Sequence, residues 1–317
     1  MSPSTPRPSA PRPYGPAAQA PLLLVPFLVG VFAWALAPFA PCARAEEPAA
    51  KPASAVDDIV HRIEEGKLID ALDAAKAVPA EDAAYLRARY LAGEVNLLLG
   101  DAPEAEAAFR EVLAKKEHAV PALSGLGRAL LAEGKAEEAV EPLSKAVAGD
   151  ARSAKAKAWL GLARARAGKV AEGRKEVAEA AKADPADPEV ARVAVTERIE
   201  ANDADGAMKA ALAFSKTKKD HAMGPFLVAF VNDKAGKFAD AITGYEKAIA
   251  LDAGFLDAHK NVAILCIAQN PLYTDPKRTA KAMEHFEAYE RLGGRDAAVL
   301  QVYAQLKSFL QPAPKDK

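Results

Sequence analysis

Apolar and small residues fall at helical spacing along this chain, and the spacing itself repeats. Gly66, Gly100, Gly134, Gly168, Asn202, Gly236 and Asn270 stand at a constant interval of 34 residues. Five positions after each come Ala71, Ala105, Ala139, Gly173, Ala207 and Ala241; nine after, Ala75, Phe109, Leu143, Val177, Ala211 and Tyr245. Twelve after come Val78, Val112, Ala146, Ala180, Phe214 and Ala248. Offsets of five, nine and twelve differ by four and three, so they share one helical face. Seven positions before each turn stand Ile59, Gly93, Gly127, Gly161, Val195, Ala229 and Ala263. Small residues there let a preceding helix approach closely.

The repeated unit therefore reads helix, tight turn, helix. Glycine and asparagine accept the left-handed backbone that ends a helix. Stretches such as Ala105–Leu113 and Ala241–Ala250 are rich in strong helix formers. Asp184-Pro185 and Asp252-Ala253 mark breaks between units. No segment alternates as a strand would. The prediction is an all-α solenoid over residues 52–292, with a final amphipathic helix within 293–310. That last helix turns Val299, Leu300, Val302, Tyr303, Leu306 and Leu310 inward as a cap. After Asn270 the register shifts by seven residues: Pro271–Lys277 loops out, and Ala282, Phe286 and Tyr289 resume the pattern.

The amino terminus changes the picture. Pro-, Ser- and Ala-rich residues 1–20 lead into the apolar run Pro21–Ala37, then Ala43-Arg44-Ala45 and the acidic Glu46-Glu47. A positive start, an apolar middle and a small-x-small site describe a secretory signal, with cleavage expected after Ala45. Retention of residues 21–40 as a membrane anchor is the alternative. Lipidation at Cys42 is disfavoured by Pro41 before it. Each reading places the folded part outside the cytoplasm, with 46–55 as linker and 311–317 as a disordered tail. Losing three arginines from 42 basic residues leaves 39 against 43 acidic, a net −4. A mildly acidic chain without basic runs is a poor fit to nucleic acid.

At this point the residues resemble the tetratricopeptide repeat family, whose unit also has 34 residues with small side chains at its eighth, twentieth and twenty-seventh places. Residues 222–255 match best, through Ala229, Gly236-Lys237-Phe238, Ala241, Tyr245 and Ala248; residues 188–221 depart, with Val195 and Phe214 where small residues are usual. The resemblance implies about seven repeats wound into a right-handed superhelix, and a concave groove lined by the first helices. Carried over place by place, the groove candidates are Arg87, Tyr90, Glu94, Arg128, Arg166, Arg192, Phe226, Phe230 and Lys260, with Trp159 at the margin. Aromatic and arginine side chains are common interface anchors. A Phe pair four apart is also what a helix core contains, and both readings of Phe226 and Phe230 stay open. The family's clamp for acidic carboxyl termini is matched only by Lys260 and Asn261.

Catalysis is not expected. His61, His118, His221, His259 and His285 are scattered without metal-ligand spacing. Cys266 lies in the apolar run Val262–Ile267 and reads as core. No phosphate loop follows a strand. No cofactor or metal is expected. The resemblance implies a binding scaffold or adaptor in the periplasm or another envelope compartment, whose partner is a segment or helix of another protein. An accessory subunit that captures substrate for an envelope enzyme, and self-association, are the alternatives.

Overall fold

The computed structural model describes residues 54–269 and 274–310; the segment expected to be a secretory signal, Asn270–Tyr273 and residues 311–317 lie outside them. Among the described residues the chain is a superhelical array of fifteen helices, without strands. They are α1 (Ala55–Glu64), α2 (Leu68–Lys76), α3 (Tyr85–Leu99), α4 (Ala102–Lys115), α5 (Val120–Ala132), α6 (Ala136–Gly149), α7 (Ala154–Arg166) and α8 (Val170–Ala183). They continue with α9 (Pro188–Glu200), α10 (Ala204–Thr217), α11 (Met223–Lys234), α12 (Phe238–Leu251), α13 (Leu256–Ala268), α14 (Pro276–Arg291) and α15 (Ala297–Leu310).

One turn is built repeatedly. Gly66, Gly100, Gly134, Gly168 and Gly236 all have positive φ, as do Asn202 and Gly293. After each, a backbone N–H reaches back to a carbonyl of the last helical turn: Lys67 to Arg62, Asp101 to Asn96, Lys135 to Leu130, Lys169 to Arg164, Asp203 to Arg198, Lys237 to Asn232 and Gly294 to Tyr289. This Schellman closure satisfies carbonyls that a helix end leaves open. Asn202, at φ 58, is the sole side chain paying for that conformation among the described residues. Asn202→Ala is expected to cost about 1 kcal/mol and Asn202→Gly about nothing, read as shifts of the denaturant midpoint.

Between repeats, aspartates stop the second helix. The side chains of Asp150, Asp184 and Asp252 each accept a backbone N–H two residues on, from Arg152, Ala186 and Gly254. Asp187 then caps α9 by accepting from Glu189 and Val190. Such Asx turns offer the backbone an exit from the helix.

Within repeats, the small position seats the bulky one. A Cβ on Gly93 would lie 2.7 Å from the Phe109 ring, one on Gly127 2.3 Å from Leu143, and one on Gly161 2.8 Å from Val177. Gly161 and Gly173 let α7 and α8 touch backbone to backbone. Second helices such as α8 bury one face only, through Gly173, Val177 and Ala180, whereas α9 buries every residue from Glu189 to Glu197. First helices thus form the inner layer and second helices the outer one. Val195 and Phe214 sit fully inside the core. At the end, Phe286 stacks on Tyr303, and Val299, Tyr303 and Leu306 are buried. Leu310 departs from the expected inward row: it is 46% exposed, at the last residue of α15.

Candidate functional site

The inner layer divides into two parts. In the amino-terminal half, the first helices bring charged residues together away from water. Arg128 on α5 donates through Nη1 to Glu94 on α3, at 2.9 and 3.1 Å, and its Nε lies 3.8 Å from Glu189 on α9. Trp159 on α7 donates its indole N–H to Glu189 at 3.0 Å, and Lys155 approaches the same carboxylate at 3.2 Å. The Arg192 guanidinium stacks over the Trp159 ring at 5.4 Å. Arg128 is 4% exposed and Trp159 1%.

The electrostatics separate the two carboxyls. Burial raises Glu189, but Arg128, Lys155 and Arg192 outweigh it and hold the carboxyl down at about 2. Burial also raises Glu94, and there Arg128 offsets only part of the effect, so Glu94 sits above the usual carboxylate range. Burial disfavours the charged Arg128, yet Glu189 and Glu94 together keep it protonated. Glu189 therefore is the charge around which this row is organised. The sequence reading overlooked it and Lys155. A signal existed: Glu94 and Arg128, Lys155 and Glu189, and Arg166 and Glu200 are opposite charges one period apart, and stacking sets the same place of adjacent repeats side by side. Arg166 makes its pair with Glu200 at 2.6 Å on the rim.

In the carboxy-terminal half the inner face stays partly open. Phe226 and Phe230 prove to differ. Phe226 belongs to an aromatic cluster, stacked on Phe255 at 4.7 Å and tilted against Tyr245 at 5.3 Å. Phe230 stacks on Phe226 at 6.4 Å, but it is only half-buried and lies beneath the Lys234 ammonium at 5.3 Å. One period on, Ile264 of α13 is 37% exposed. Lys260 pairs with Asp257 at 2.8 Å, and Asn261 is half-buried. Arg87 is exposed with its guanidinium 5.2 Å from the half-buried Tyr90 ring.

The structure also joins two histidines that are far apart in sequence. His259 Nδ1 lies 2.9 Å from His285 Nδ1, and His259 Nε2 is 3.2 Å from the Ala253 carbonyl oxygen. With Nε2–H donated to Ala253, His259 Nδ1 accepts and His285 Nδ1–H donates. Burial lowers both pKa values below the ordinary 6.5. Asp252, Glu284 and the Ala253 carbonyl oppose this at His259 while Arg291 adds to it; Glu284 and Glu246 oppose it at His285 while His259 and Lys281 add to it. A lowered folded pKa means the unfolded chain takes up protons first as pH falls. This contribution is complete above about pH 6.5 and is lost below it. A lower thermal midpoint is expected at roughly pH 5.5 than at pH 7.5, and His285→Leu is expected to shrink the difference. No group of three or more metal-ligating side chains occurs among the described residues. Cys266 is buried in the core, and burial raises its thiol pKa. No described helix is long and apolar enough to cross a membrane.

Residues 124–188 match the tetratricopeptide repeat family. Among solved structures, a tetratricopeptide repeat protein from Parabacteroides merdae superposes with a TM-score of 0.51 at 13% identity, over 80% of this chain and 97% of that one. MamA from Desulfovibrio magneticus is 22% identical with a TM-score of 0.41, over 52% of this chain and 92% of that one. The pilF protein of Pseudomonas aeruginosa is 21% identical with a TM-score of 0.43, over 62% and 86%. At such identities the likeness is one of fold. No match was found among curated proteins.

Proposed function

We propose that this chain, a tetratricopeptide-repeat protein by its fold and by the match over residues 124–188, is a non-catalytic scaffold which holds a segment of a partner protein against its inner face, outside the cytoplasm. The observation that carries the reading is the strip formed by Phe230 and Ile264. These are the same place of two adjacent first helices: Ile264 is exposed, and the half-buried Phe230 lies beside the Lys234 ammonium. At that place in earlier repeats Glu94 and Arg128 pair with each other in the interior. An apolar strip flanked by a cation fits a segment carrying apolar anchors and an acidic residue. The positioning elements are rigid helices, so the strip is formed before a partner arrives.

The export reading rests on the charge and apolar pattern of residues 1–45. Amino-terminal sequencing of the protein from cells is expected to begin at Glu46; a chain still carrying Pro21–Ala37 would replace the secreted form with an anchored one. For the binding reading, a photoreactive side chain at Phe230 in the full chain is expected to capture a specific protein in cells. The same group at the outward Lys247 on α12 is expected to capture none. Capture at Lys247 with silence at Phe230 would move the interface to the outer layer and end this reading.

A further inference from the structure

Contacts in a stacked repeat array run between neighbours, and its curvature is the sum of small rotations per repeat. One contact here joins the two ends. The Arg295 backbone N–H donates to the Leu99 carbonyl oxygen at 2.7 Å, and the Arg295 guanidinium lies 3.8 Å from the Asp101 carboxylate. Gly293, at φ 87, is pressed against α2 and α3: a Cβ on it would stand 2.7 Å from Ile69 Cδ1 and 3.2 Å from Leu99 Cδ2. The apolar cores record the same closure. Ile59, Leu72 and Val95 are continuous with Val195, Ala263 and Tyr303, while Phe109, Leu143 and Trp159 belong to a separate cluster.

The segment that makes this contact is itself held in shape. Asp296 donates its backbone N–H to the Tyr289 hydroxyl at 3.0 Å, and its carboxylate caps α15 by accepting from Ala298 and Val299. Gly294 lies against the Tyr289 ring so closely that no side chain fits. Lys260, on the inner face of α13, is attracted to Asp296. Gly293–Asp296 therefore bridges the inner face of the last repeats to the end of α3.

We infer that Gly293–Asp296 is a clasp that holds the array shut, and that its release uncovers the sealed row of Glu94, Arg128, Trp159, Glu189 and Arg192 to the partner segment. The inference rests on the reading of the inner face as the partner surface. Its physical basis is the nearest-neighbour character of the stack. The clasp joins distant repeats, so it can part while every helix pair stays folded. The Arg128–Glu189 approach skips the intervening helix α7 and so depends on tight winding. Relaxing the winding separates these groups and leaves them to pair with a ligand instead.

Gly293→Asn in the full-length protein tests this. Asparagine tolerates the left-handed backbone, so the variant adds a wedge against Ile69 and Leu99 with little turn strain. The expected result is a larger radius of gyration by small-angle scattering and about tenfold faster amide exchange in Leu91–Leu99, with far-ultraviolet circular dichroism unchanged. Arg295→Glu, which sets two acids together, is expected to act the same way, and adding Asp101→Arg to restore closure. A photoreactive group at Trp159 is expected to be silent in the parent and to capture the partner in Gly293→Asn. If both variants stay as compact and as protected as the parent, the clasp does not hold the array and the inference fails. If they open while Trp159 stays silent and Phe230 still captures, the gating fails and the scaffold reading survives. Silence at both positions in the opened variants ends the scaffold reading, while scattering still reports on the closure.

Discussion

Arg128→Met is expected to lower the unfolding free energy by about 3–5 kcal/mol. Arg128 is buried, and it is the counter-charge for Glu94 at 2.9 Å and part of the counter-charge for Glu189. Methionine fills much of the volume but leaves the Glu94 carboxylate desolvated with no partner. Breaking one side of a buried pair costs more than removing both sides, because the survivor keeps its desolvation penalty. Arg128→Met with Glu94→Leu is therefore expected to recover most of the loss, since Glu189 retains Lys155 and the Trp159 indole N–H. Glu94 already sits above the usual carboxylate range, so the single variant's deficit is expected to shrink on acidification as that carboxyl takes up a proton. Denaturant melts of the parent, single and double variants decide it. A single-variant loss below about 1 kcal/mol would mean that water reaches the row.

Gly173→Val carries the second large effect, a loss of about 3 kcal/mol. A Cβ on Gly173 would fall 2.2 Å from the Gly161 carbonyl oxygen and 2.6 Å from the Ala165 nitrogen. Both atoms are backbone, so no rotamer change relieves the clash and α7 must move away from α8. That movement opens the interface where Val177 and Ala180 are buried. Gly168→Ala makes the contrast. Nothing lies within 4 Å of a Cβ there, but φ is 90, so only turn strain is expected, about 1–2 kcal/mol. Equal losses for the two variants in the same melt would refute close approach as the reason for Gly173. Local exchange should distinguish them too: Gly173→Val is expected to loosen α7 and α8 together.

These two glycines illustrate why so much of the fold was legible. Each repeat makes the same local demands: a left-handed residue at the turn, a small residue where helices touch, a bulky one opposite it. Demands that recur at a fixed period leave a periodic trace, and Gly66 to Gly236 and Ala71 to Ala241 are that trace. The charged inner row was half legible. Glu94, Arg128 and Arg192 stood among the groove candidates because of their places in the repeat. Their burial, and the part played by Glu189 and Lys155, depended on how tightly the repeats wind. The Phe pair divided for a similar reason: Phe226 meets Phe255 from the next repeat's entry, and Phe230 lies one turn beyond that cover. His259 and His285 were hidden because seven added residues after Asn270 shift the second helix relative to the period, and the expected loop over Pro271–Lys277 ends earlier, Pro276 and Lys277 already opening α14, so no interval in the chain announces the contact.

Helix, turn and pairing within a repeat depend on residues a few tens of positions apart, and the chain states those in order. Curvature does not work that way. It accumulates from small rotations at every interface, each set by side-chain volumes that no single window contains. Whether the last repeat meets the first, whether Arg128 faces water or Glu189, and whether Gly293 ends a helix or also seals a ring are consequences of that sum. They became readable only when the whole array was laid out in space.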